Sequence, residues 1–89
     1  MSQKGTQIDT PDCVLAAARS LTGWALGTHK ALQGPNGKIA VTIHLAHRGG
    51  FFVPHAPFRH ARGYDVTRVH SFNSGQTATV WLTLRPVDL

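Results

Sequence analysis

The stretch Gly34-Pro35-Asn36-Gly37-Lys38-Ile39-Ala40-Val41-Thr42-Ile43-His44-Leu45-Ala46 decides how this chain folds. Its first four residues are a strong turn signal. Proline presets φ at the first corner, and Asn and Gly accept the left-handed backbone that closes the turn. Beyond the turn, Ile39, Val41, Ile43 and Leu45 alternate with Ala40, Thr42, His44 and Ala46. Period two is the spacing of a strand buried on one face. Upstream, Leu26–Gln33 reads as its partner. A four-residue loop pairs Leu32 with Ile39 and Leu26 with Leu45, which keeps apolar groups together.

A second hairpin follows downstream. Tyr64–Phe72 and Thr77–Arg85 read as strands around a three-residue turn, Asn73-Ser74-Gly75, with glycine in the left-handed position. That turn sets Val66 opposite Leu82 and Tyr64 opposite Leu84, with Tyr64 and Phe72 on the apolar side. Val80, Leu82 and Leu84 alternate inward, so parity turns Trp81 outward with Thr79, Thr83 and Arg85. Toward the N-terminus, Thr10-Pro11-Asp12 reads as a helix start, with Thr10 as cap. Val14, Leu15, Ala18 and Leu21 then recur at helical spacing, and Gly23 or Gly27 ends the helix.

The expected fold class is therefore α+β. One N-terminal helix packs on an antiparallel sheet of about four strands, built as two hairpins joined by a long basic loop. The helix rests on Ile39, Val41, Ile43, Val80, Leu82 and Leu84. Residues 1–9 form a polar arm and residues 10–89 one small domain; a chain of 89 residues has no room for a second core. Phe51-Phe52-Val53 reads as a short strand, and Pro54–Gly63 as loop, with two prolines, two histidines and two arginines.

Composition narrows the partners. Formal net charge is +5 and the pI is about 10.4, which favours nucleic acid or an acidic protein surface. Free imidazoles titrate near ~6.5, so mild acid raises the charge of a chain with six histidines. Cys13 is the only cysteine, so no internal disulfide forms. No apolar signal core precedes the helix, and no run approaches the roughly 18 apolar residues of a membrane span. The expectation is a cytoplasmic protein with no membrane partner.

Between His44 and Phe72 lie five of the six histidines, Arg48, Arg59, Arg62 and Arg68, and five of the seven aromatics, against the single acid Asp65. Cations interleaved with π-faces suit a surface that holds phosphates and stacks on bases. The nucleic-acid-binding set read from this stretch is Arg48, Arg59, Arg62 and Arg68 on phosphates, His47, His55 and His60 assisting, and Phe51 and Phe58 stacking. At least two of Phe51, Phe52 and Phe58 are also wanted by a core this small. Trp81 and Arg85 form a candidate protein interface, since an outward Trp needs a loop, a second subunit or a ligand over it.

No motif names a reaction. His44-x2-His47 and His55-x4-His60 match no standard metal-ligand spacing, and residues three apart on a strand face opposite ways. Cys13 reads as a small core residue. Gly49-Gly50 lacks the lysine and helix of a phosphate loop. No aromatic RNA-recognition octamer and no Gly-x-x-Gly loop between helices is present. The leading reading is a small basic non-enzymatic module that contacts RNA or single strands through the 47–68 loop. A helix with Arg19 as its one basic residue argues against major-groove reading. The alternative is a protein-binding adaptor or inhibitor, of the kind mobile elements encode, acting on a host complex. It would use an exposed edge strand, or a homodimer, with Trp81 as anchor. Third is a metal-independent ribonuclease using His44, His47 and His60 with Arg48 and Arg59. No cofactor and no metal site is implied.

Overall fold

A computed structural model describes residues 5–49 and 52–87. One α-helix and five antiparallel strands make a mixed α+β fold, most of it sheet. In chain order these are β1 (Thr6–Ile8), α1 (Asp12–Arg19), β2 (Trp24–Gln33), β3 (Ile39–His47), a 3-10 helix (Ala56–Arg59), β4 (Tyr64–Ser74) and β5 (Thr77–Pro86). The order across the sheet is β1-β2-β3-β5-β4. The fifth strand is β1, inside the stretch expected to be an arm; it pairs with the far end of β2, Thr6 against Gln33 and Ile8 against Ala31.

Helix α1 begins one residue later than expected. Pro11 holds the cap position in extended backbone, and its carbonyl accepts from Val14 and Leu15 N–H at 3.0 and 3.2 Å. Thr10 is buried and does not cap; its Oγ1 shares a 2.9 Å hydrogen bond with His29 Nδ1. The helix stops at Ser20, short of Gly23, because the Ser20 hydroxyl donates back to Ala17 O at 2.7 Å.

The first hairpin closes through Gly34–Lys38. Gly37 N–H donates to Gly34 O and Gly34 N–H to Lys38 O, with Gly37 at φ +86°. This is a type I turn followed by a glycine in the left-handed region, which lengthens the loop by one residue. Leu32 therefore faces Ala40, and Gln33 faces Ile39. A bulge between Leu26 and His29 absorbs the extra residue, so Leu26 does meet Leu45. Gly27 permits the bulge: a Cβ there would stand 3.0 Å from the His44 carbonyl oxygen.

The second hairpin departs further from its expected register. Its turn has two residues, with Gly75 first at φ +64°, and Ser74 pairs with Thr77. Val69, not Val66, lies opposite Leu82; Val66 lies opposite Leu84 and Tyr64 opposite Pro86. A second bulge, between Val66 and Arg68, changes the phase of β4 along its length. Tyr64 and Val66 lean on the core before the bulge and Val69 after it. Phe72, expected inside, falls on the opposite parity and is 59% exposed.

One face of the sheet carries the core. Ile39, Val41, Ile43, Leu45, Val80, Leu82 and Leu84 are buried there with Val14 and Ala18 of α1. Each Val, Ile or Leu among them contributes roughly 1.5–3 kcal/mol on burial. The rest of the cover comes from the chain between β3 and β4. These strands run the same way with β5 between them, so the connection between them must cross back over the sheet. Val53, Phe58 and Ala61 are buried beneath that crossover. Phe58 is thus a core residue, not a stacking face, because the crossover supplies the apolar bulk that one short helix lacks. Phe52 and Val53 form no strand, and Phe51 lies outside the described residues.

Candidate nucleic-acid interface

The second face of the sheet has no layer over it among the described residues. Alternation sends Lys30 and Leu32 of β2, Ala40, Thr42 and His44 of β3, and Thr79, Trp81 and Thr83 of β5 toward it. After its bulge, β4 adds Arg68, His70 and Phe72. Register arranges these groups in rungs. Lys30, Thr42, Trp81 and His70 are successive partners across four strands. His44, Thr79 and Phe72 make the next rung, and Leu32, Ala40, Thr83 and Arg68 the one on the other side.

The rungs bring π-faces and cations together. The His70 imidazole stacks on Trp81 at 5.4 Å between centroids, with 26° between planes. Trp81 remains 39% exposed above that stack, and Phe72 stands beside it. His44 Nδ1 shares a 3.3 Å hydrogen bond with Thr79 Oγ1. Asp65 is the only acid on this face among the described residues, and Arg85 Nη2 lies 3.1 Å from its Oδ2. Both partners are half-exposed, so the pair adds little to stability.

Residues expected to act together divide between the two sides. Arg68, Trp81 and Arg85 lie on the open face. Arg59 and His60 close the 3-10 helix in the covering layer, and Arg62 sits in the turn before β4; all three are exposed. His55 is half-buried, its Nε2 2.9 Å from Ser71 Oγ, and ties the crossover to β4. His47 meets the Trp24 ring edge-on at 5.5 Å, and Arg48 follows it at the end of β3. Trp24 Nε1–H donates to Phe52 O at 3.1 Å, which fixes the start of the crossover. His44 and His60, paired in the ribonuclease reading, belong to different layers of the fold.

Lys30, His29, His70 and Phe72 are not singled out as ligand contacts by the sequence, and His44 enters there only as a metal-spacing or ribonuclease candidate. The signal for His70 and Phe72 was Gly75 read as the first residue of a two-residue turn, which sets His70 against Trp81 directly. No signal in β2 announces the bulge that positions His29 and Lys30. Among the described residues no three metal-ligating side chains converge, and no helix is long and apolar enough to cross a membrane.

No protein-family model, curated protein or solved structure matches the chain.

Proposed function

We propose that this protein is a non-enzymatic binding module for single-stranded nucleic acid, RNA foremost, and that the strand lies on the open sheet face. One observation carries the reading. The His70–Trp81 stack and Phe72 stand on a sheet face that, among the described residues, is uncovered and holds Lys30, His44 and Arg68 with one carboxylate, engaged by Arg85. Bases stack on exposed aromatic rings at about 1–3 kcal/mol each, whatever their identity. The cations beside them meet the phosphates. A flat sheet suits splayed bases better than it suits a duplex groove.

The 47–68 stretch keeps a supporting part in this reading. Arg48, Arg59 and Arg62, with His47 and His60, are exposed around the covered side and raise the positive field that draws a strand in. The test is a titration with oligouridylate at low salt, read by Trp81 fluorescence in a Trp24→Phe background. Saturable quenching that weakens with salt, by a slope of about −0.7 per phosphate contacted, is the expected result. No binding at low salt would sink the reading.

The edge of β4 favours a second reading, a protein partner. β4 runs eleven residues with one side unpaired among the described strands, as strand addition requires. Its bulge is the kind of irregularity that discourages such pairing, so this reading ranks below the first.

A further inference from the structure

The indole of Trp81 has one face to offer. The His70 ring arrives from β4 and is stacked on the other, at 5.4 Å between centroids and 26° between planes. The free face is therefore turned away from β4, across the sheet toward Thr42 of β3 and Lys30 of β2, which follow Trp81 on its rung. We propose that these three residues form a subsite for a single nucleobase with a carbonyl at the tip remote from its sugar: uracil or guanine in preference to cytosine or adenine. The proposal rests on the open-face reading given above and names the bases that this face takes.

Register sets the width of the slot. Lys30 and Trp81 lie two strands apart, about 10 Å between backbones at the usual strand spacing. A flat ring in van der Waals contact on both sides takes up about 7–8 Å of that. Thr42 between them is short and half-buried, so it makes a floor and leaves the slot open. Beyond Trp81 on this rung the face sinks into a depression of about 290 Å³, lined in part by Lys30, Thr42 and His44. That is the small end of the ~300–1,000 Å³ range of ligand sites, with room for one ring system.

The chemistry of the slot selects the base. A base stacked on the indole with its sugar toward solvent points its far edge at Thr42. In uracil and guanine that edge carries a carbonyl oxygen, O4 or O6; in cytosine and adenine it carries an amino group, N4 or N6. Lys30 has donors and no acceptor, so it rewards the carbonyl and meets the amino group donor to donor. Among the described residues the only salt bridge is Arg85–Asp65, so no carboxylate within 4.0 Å engages the Lys30 ammonium. Thr42 Oγ1 has no hydrogen-bond partner among the described residues either. It can accept from the ring N–H beside the carbonyl, and being donor and acceptor alike it leaves the choice of base to Lys30. Arg68, one rung along, is left for phosphate.

The test compares hexamers of equal charge at one low salt concentration, read by Trp81 fluorescence in a Trp24→Phe background. Oligouridylate should bind about tenfold more tightly than oligocytidylate, the worth of one hydrogen bond to a charged group. An alternating U-G hexamer should likewise bind more tightly than an alternating C-A hexamer. Lys30→Gln should bring the ratio of uridylate to cytidylate affinity close to one, because an amide both donates and accepts, and Lys30→Arg should keep the preference. Lys30 is exposed, and preserved amide dispersion checks the fold. Equal affinity for oligouridylate and oligocytidylate, both quenching Trp81, would overturn the subsite and leave the open-face reading standing. So would a uridylate preference that survives Lys30→Gln, or a Lys30→Gln loss shared equally by both hexamers, which would make Lys30 a phosphate contact. Binding of neither hexamer would overturn the open-face reading itself.

Discussion

Replacing Trp81 with alanine should cost binding and spare the fold. The ring is 39% exposed and stacked on His70, so its removal opens no cavity. Losing one stacking platform should weaken oligonucleotide binding by about 1–3 kcal/mol, with the midpoint of a urea melt nearly unchanged. Phe58→Ala is the converse case. Its side chain is 1% exposed under the crossover, so truncation should destabilise by about 3–5 kcal/mol. Any loss of affinity in that variant should vanish once the unfolded fraction is subtracted. A stable Phe58→Ala protein with weakened binding would return Phe58 to the binding surface.

The bulges decide what the strands present. Thr67 occupies the extra position of β4, its hydroxyl donating to Thr83 O at 3.3 Å. Deleting Thr67 should force a choice between keeping Tyr64 and Val66 against the core and keeping Val69 there. Either choice exposes apolar area or turns His70 inward, unpaired with Trp81. The expected loss is about 1–3 kcal/mol in urea unfolding, together with a change in Trp81 fluorescence. A deletion that melts like the parent would show that the phase of β4 does not depend on this bulge. In β2, Gly27→Val should displace the strand from the His44 carbonyl, since its Cβ would meet that oxygen at 3.0 Å. That variant should lose about 1–3 kcal/mol in urea unfolding while the rest of the sheet keeps its register.

At the scale of the whole molecule, the charges are spread over both sides while the aromatics that remain exposed on strands gather on one. Phe72 and Trp81 share the open face; the crossover and α1 fill the other with buried side chains. Neutralising Lys30 and Arg68 should therefore reduce oligonucleotide affinity and salt slope more than neutralising Arg59 and Arg62. The second pair acts at a distance through the field, which salt screens over about 8–10 Å. Parallel titrations of Lys30→Gln/Arg68→Gln and Arg59→Gln/Arg62→Gln at several salt concentrations decide this. Equal losses in both double variants would mean that the strand also contacts the crossover.

The sequence by itself determined the two hairpins, the inward set Ile39, Val41, Ile43, Val80, Leu82 and Leu84, the outward Trp81 and the positive charge. Each is a local property: periodicity within a strand, turn chemistry within a few residues, or a sum over the chain. Tertiary structure alone decided the rest. A bulge is an insertion relative to the neighbouring strand, so no periodicity within β4 marks that Phe72 changes face after Thr67. The pairing of β1 with the far end of β2 likewise depends on an edge that exists only once the sheet has formed. Pro54–Gly63 looks polar and loop-like in sequence, and Phe51-Phe52-Val53 looks like a short strand. The connection between β3 and β4 carries Val53, Phe58 and Ala61 into the core because β3 and β4 are parallel, and because one helix of eight residues is too small to cover five strands. Which side of the sheet stays bare, and so which cations and rings meet a ligand together, follows from that crossover.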